Sequence, residues 1–386
     1  MITWRAGIVE RLGPAWAGAA ELTVRLDGVG PGDPVDGGPL QVKALAYPAL
    51  VGDPAVGDRV LVNVSAQARG LGTGGYALVI ARPDAISPAP PAGPGHLVKA
   101  RYTPLQAMVL GVDEQESPHH ELLRDADDLG GMPVVVADLH SALPAVVAGL
   151  RWQHELTGRP LPRVVYVMTD GGALPAWFSR TVAGLREAGW LEACITVGQA
   201  FGGDLEAVTV HTGLLAARAV CRADDVVVAQ GPGTLGTGTR WGFSGVAAGE
   251  AVNAAGVLGG RPVASLRVSG ADPRERHRGV SHHSLTAYGR VALMPADVPL
   301  PTAPSGGGAD PERARLLAVV RAQAEQICAP VGRHRLVEVE ATDDLTAALA
   351  ASPVRLSTMG RGLDQDPEAF LAAAVAGVHA ALLLRP

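Results

Sequence analysis

Several apolar runs in this chain stop abruptly in residues that handle protons, metals or anions. Asp138-Leu139-His140 follows the run 132–137, and Thr169-Asp170-Gly171-Gly172 follows 163–168. Gly198-Gln199 follows 193–197, the glycines Gly231, Gly233, Gly236 and Gly238 follow 226–229, and Ser269 to Asp272 follow 263–268. Asp113 to His120 follow a sixth such run, 106–112. Asp138 and His140 are two apart, so an extended backbone turns both to one face, and Asp170 is expected to join them from a neighbouring strand. Two carboxylates and an imidazole suit acid/base work or a divalent metal; His119 is a further candidate ligand. The competing reading has Asp138 capping the next helix and His140 bonding to backbone. His119 and His120 on a helix point about 100° apart, which leaves room for one of them in a site. Read as extended chain, His282 and His283 face opposite ways, and only one of them, His283, is placed with the catalytic set.

The glycine-rich stretch runs DDVVVAQGPGTLGTGTRWGFSG over 224–245. A buried strand, a tight loop and a helix in that order put backbone amides and a helix N-terminus beside a ligand. Gly231, Gly233, Thr234, Gly236 and Arg240 are the expected anion-binding residues, with Gly171, Gly172 and Gln199 reaching in from neighbouring strand ends. Gly231 to Gly236 match G-x-G-x-x-G formally. They lie on the fifth strand, however, Pro232 removes a donor, and the helix begins late. A phosphate or carboxylate is therefore preferred to NAD(P), and tight turns without a ligand remain the plain alternative. Asp272 stands where a ribose-binding acid would, and Arg274, Arg276 and Arg278 are placed to meet a phosphate instead. There is no G-x-S-x-G elbow and no P-loop.

Residues 1–82 read as short strands separated by Gly, Pro and Asp turns, five or six in number, which suits a small barrel. Residues 83–95 (PDAISPAPPAGPG) form a proline-rich linker. Across 96–386 apolar β-branched runs alternate with helical patterns near 142–156, 175–188, 205–221 and 246–257. This is the pattern of βαβ units. The expected architecture is a doubly wound, mostly parallel Rossmann-like α/β sheet preceded by a small all-β barrel-like domain. Such sheets bind ligands at the carboxyl ends of their strands, where all the polar groups above would converge. Pro301 to Ala309 (PTAPSGGGA) reads as a surface loop.

Of the 386 residues, 47% are hydrophobic, 18% charged and 4% aromatic, which fits a large core of small side chains. A net charge of −6 gives no basic footprint, so nucleic acid is not an expected partner. Three scattered cysteines, Cys194, Cys221 and Cys328, make neither a disulfide framework nor a metal knuckle. No apolar run is long enough for a bilayer, and the N-terminus lacks a signal-peptide layout. A cytoplasmic protein binding a small molecule is expected, as a homodimer by analogy with similar sheets.

Lys99 to Gln106, the segment Asp113 to His119, Gln230 to Thr234 and Gly279 to Thr286 together resemble a bacterial family, frequent in actinobacteria, known as domain of unknown function 3866. The resemblance implies no activity and transfers no catalytic role. Three functions remain open. The first is a small-molecule enzyme for an anionic, phosphorylated or metal-assisted substrate. The second is a non-catalytic nucleotide or metabolite sensor, and the third an NAD(P)-dependent oxidoreductase.

Overall fold

The computed structural model describes residues 2–28, 40–72, 74–86, 93–304, 310–329 and 331–384. Within the expected linker, 87–92 lie outside the described residues, as do 305–309 of the expected surface loop. Contacts group the chain into two compact units, 1–94 with 98–108, and 95–97 with 109–386.

The first unit holds a closed barrel of five strands in the order β1-β2-β3-β5-β4. They are β1 (Trp4–Trp16), β2 (Ala19–Leu26), β3 (Gln41–Ala46), β4 (Arg59–Asn63) and β5 (Ala77–Ala81), with a one-turn helix α1 (Pro48–Val51) after β3. Irregular pairing between Val9 and Arg11, and again between Leu12 and Ala15, bends the long β1 against β2. Val9, Leu22, Val24, Val60, Val62 and Val79 fill the interior, alternating with outward residues as a half-buried strand requires. A small ribbon, β6 (Leu97–Lys99) with β7 (Ala107–Val109), follows.

The second unit is an eight-stranded parallel sheet, ordered β11-β10-β9-β12-β8-β13-β16-β17. Its strands are β8 (Pro133–Ala137), β9 (Val164–Thr169), β10 (Ala193–Thr196), β11 (Leu205–Glu206), β12 (Asp225–Gln230), β13 (Arg261–Ser265), β16 (Asp297–Thr302) and β17 (Arg335–Glu340). Between β13 and β16 lies a short antiparallel ribbon, β14 (Val268–Ser269) with β15 (Gly279–Val280). The helices are α2 (His120–Leu123), α3 (Leu143–Leu156), α4 (Arg180–Glu187), α5 (Val210–Ala219), α6 (Ala247–Val257), α7 (His282–Thr286), α8 (Pro311–Cys328), α9 (Asp343–Ala350) and α10 (Pro367–Leu383). One core, with Val134, Val136, Val226 and Val228, lies on one face of the sheet. The other face carries Val135, Ala137, Val227 and Ala229 under α3 and α10. Both faces being covered explains why the central strands read as unbroken apolar runs. No helix among the described residues is long and apolar enough to cross a membrane.

Three elements differ from the sequence expectation. The run 106–112 is no strand of the large sheet: only 107–109 is strand, in the ribbon with β6, and Gly111 forms an isolated bridge to Glu206. The helix expected over 205–221 begins at Val210, because Leu205-Glu206 pairs as the edge strand β11. The interior strand β16 hides behind Pro299 and Pro301, two of its six residues. These prolines are two apart, so their missing donors fall on one side of the strand only. Pairing with β17 runs the whole length, whereas pairing with β13 is reduced to Val263 opposite Asp297.

Candidate functional site

The end of β8 divides two expected partners. Asp138 continues the alternation of Val134 and Val136 and is buried. His140 opens a 3-10 turn, and the turn swings its ring away to the α3 side of the sheet. There Nδ1 lies 3.0 Å from the Tyr166 hydroxyl and Nε2 lies 2.8 Å from Ser179 Oγ. One proton arrangement satisfies the whole chain. Val182 N–H donates to Ser179 Oγ (3.0 Å), Ser179 O–H donates to Nε2, Nδ1–H donates to Tyr166, and Tyr166 donates to the Gln230 carbonyl (2.9 Å). The expectation that His140 serves beside Asp138 is corrected: both ring nitrogens are held in a buried structural network.

Burial pushes the His140 imidazole down to about 4. Its folded value lies below that of the unfolded chain, which binds the proton more readily. The contribution is complete above about pH 6.5 and is lost as pH falls through 6.5 towards 4, by up to about 3 kcal/mol. Urea unfolding should show wild type losing this stability over that window, and His140→Gln should flatten the pH dependence.

Asp138 has the opposite sign. Its Oδ2 is buried without a hydrogen bond, and it lines a cavity of about 30 Å³ with Ser265, Arg267, Ser269 and Arg361. Burial raises its carboxyl to about 6, against the charge of Arg267, which lowers it. A raised folded value means stability that is complete below about pH 4 and lost as pH rises through 6. Asp138→Asn is therefore expected to gain about 2–3 kcal/mol over wild type at pH 8 and nothing at pH 4. Equal curves at both pH values would count against a desolvated Asp138.

Asp170 does not join Asp138. Strand β12 separates β9 from β8, and the exposed Asp170 turns towards β10, accepting from the Gln199 amide at 2.9 Å. His119 stands just before the short α2 without a side-chain cap bond, and the neighbour of α2 is α5, on the side of the edge strand β11. Neither the metal set Asp138–His140–Asp170 nor its extension to His119 is assembled.

The glycine loop fills itself with its own chain. A Cβ on Gly172 would strike the Gly231 carbonyl, and one on Gly231 would strike that of Ala173. Ala173 N–H donates to the Pro232 carbonyl at 2.8 Å, and a Cβ on Gly171 would lie 2.7 Å from Gln230 Oε1. Thr234 Oγ1 is 3.2 Å from Ser244 Oγ, and Gly236 bridges to Phe243. Gly171, Gly172 and Gly231 are thus packing glycines between two loops. Gly233 and Gly236 lie exposed, and Arg240 lines a cavity described below.

Beyond β13 the chain builds what the sequence left scattered. Ser281 N–H donates to the Arg267 carbonyl (2.8 Å), and Arg267 N–H donates to Ser284 Oγ (2.9 Å), which folds 281–284 back onto Arg267. Ser281 Oγ caps α7 by accepting from His283 N–H (3.2 Å) and meets His277 Nδ1 at 2.8 Å. The cap replaces the extended backbone expected at 282–283, so both histidines enter one cluster with His277; the expectation of a single member is corrected. One nitrogen from each ring lies within 4.8 Å of the others. Phe243 stacks on His283 at 3.8 Å between ring centroids. Arg267 Nη1 is 3.2 Å from His283 Nδ1, and Nε2 of His282 is buried without a partner. Burial first, then Arg267, holds His277 and His283 down near 3, and burial with Arg276 lowers His282, so all three rings are neutral at neutral pH.

Beside the cluster opens a cavity of about 640 Å³, lined by His282 with the exposed Arg240, Arg276 and Arg290, and by Leu285 and Gln326. None of these three arginines makes an ion pair among the described residues. Arg274, by contrast, is held bidentate on buried Asp272 (2.9 and 2.8 Å), which Arg361 also reaches at 3.3 Å. These pairs hold the Asp272 carboxyl well below the usual carboxylate range. Arg361 continues to Asp366 at 3.0 Å, tying the loop to the start of α10.

No curated protein and no solved structure matches this chain. The model of a family described as "protein of unknown function (DUF3866)" matches residues 43–377, and the chain belongs to that family.

Proposed function

We propose that this protein is an enzyme for an anionic small molecule, bound in the cavity of Arg240, Arg276 and Arg290 with His282 of the histidine cluster in its wall. The observation that carries the reading is three guanidinium groups lining one cavity, without carboxylate partners among the described residues, next to a neutral imidazole. Like charges gathered without counter-charge destabilise a fold, and an anionic ligand supplies what is missing. A volume of about 640 Å³ suits a small metabolite. His282, the histidine on the cavity wall, offers an imidazole for proton transfer to or from a bound ligand. The self-filled glycine loop gives no support to a dinucleotide.

The test is thermal stabilisation across phosphorylated, dicarboxylate and neutral metabolites, followed by a turnover assay on the compounds that bind. Salt-sensitive stabilisation by anions alone, with turnover, is the expected result. Stabilisation by neutral compounds only would refute the reading. Anion binding without turnover would favour the sensor, a reading supported by the lack of a thiol, amine or carboxylate among the described cavity residues.

A further inference from the structure

Three clustered imidazoles invite a metal, but the partner of His283 is of the wrong polarity. A histidine that ligates a metal donates its second nitrogen to a carboxylate, carbonyl or water. Here a guanidinium, which can only donate, faces His283 Nδ1 at 3.2 Å. The Nδ1 lone pair is therefore engaged, and the ring proton of the neutral imidazole sits on Nε2. Whichever nitrogen faces the other two rings, His283 has no free lone pair for a cation. Positive charge from Arg267, Arg274 and Arg276 also bears on His282.

Resting on the reading of the cavity as an anion site, we infer that His282, the member of the His277–His282–His283 cluster on the cavity wall, binds a tetrahedral oxyanion, the phosphate group of a phosphomonoester, and that the cluster is not a metal centre. Arg267 sets the polarity. Nε2 of His282 is enclosed without a partner, and we place the proton of that ring on Nδ1. That is the edge left to meet a ligand in the cavity, where Arg276 and Arg240 lie beside it. Donors arriving from an imidazole and two guanidinium groups match a tetrahedral dianion better than a planar carboxylate, which offers two oxygens in one plane.

The experiment uses the full chain with inorganic phosphate, and with Zn²⁺ and Co²⁺, in calorimetric titrations. Phosphate is expected to bind wild type. The affinity should fall about tenfold or more in His282→Ala and stay within about threefold in His282→Asn, whose amide nitrogen takes the place of Nδ1. Nitrogen-15 spectra of the wild type, which need no variant to fold, should show His283 protonated on Nε2 and His282 on Nδ1. One equivalent of Co²⁺ with ligand-field bands, lost in His283→Ala, would overturn the inference. So would phosphate binding indifferent to His282→Ala. If that binding were nonetheless abolished by Arg276→Glu, the inference would fail while the anion-binding cavity stood; loss of neither would remove both.

Discussion

Gly149→Ala is expected to destabilise the protein by about 3 kcal/mol or more, although alanine is the better helix former by about 1 kcal/mol. Gly149 on α3 lies over the backbone of Ala374 on α10, and Gly377 on α10 lies over the backbone of Val146 on α3. A Cβ at either position would fall inside the opposing carbonyl oxygen. Neither obstacle is a side chain that can turn aside, so the helices must separate along their shared seam. Helix α10 is buried from Phe370 to Ala381 and covers β8, β13 and β16, so its displacement would open the core on that face. Urea unfolding of Gly149→Ala, Gly377→Ala and the double variant provides the measurement. Because both act on one contact, the double variant should lose less than the sum. A stabilised Gly149→Ala would mean that the helices are not in backbone contact.

That seam shows what a sequence conveys and what it withholds. The β-branched runs of β8, β9 and β12 announce buried parallel strands, and the spacing of turns in the first eighty residues announces a barrel, because both signals are local. The roles of Gly149 and Gly377 depend on which helices meet, which no periodicity states. Pro299 and Pro301 concealed β16 because a rule that disfavours proline in strands cannot know that one side needs few donors. At the site, the strand alternation of Val134 and Val136 extends to Asp138. It failed two residues later, when a 3-10 turn rotated His140 to Tyr166 and Ser179. The cluster at 277–283 had one legible signal: Ser281 in a helix-capping position before His282-His283, which were read instead as strand. Arg267 carried no signal at all. Its importance comes from the β14–β15 ribbon that folds α7 back upon it.

The charge of the cavity gives the second large effect. Arg276→Glu with Arg290→Glu is expected to weaken an anionic ligand by at least about a hundredfold, near 3 kcal/mol, since each change replaces attraction with repulsion. The same variant without ligand should be as stable as wild type or slightly more so. Arg240, Arg276 and Arg290 repel one another and have no carboxylate partner to lose among the described residues. This pairing of outcomes separates a binding site from ordinary surface charge. A structural arginine takes stability with it when replaced, whereas a functional one held in an unfavourable field returns a little stability and removes binding. Ligand-induced thermal shifts at low and high salt would read both quantities in one experiment, with the wild-type shift shrinking as salt screens the exposed arginines. Variants that lose stability but keep their ligand would place these three guanidinium groups in the fold and leave the anion to be sought elsewhere.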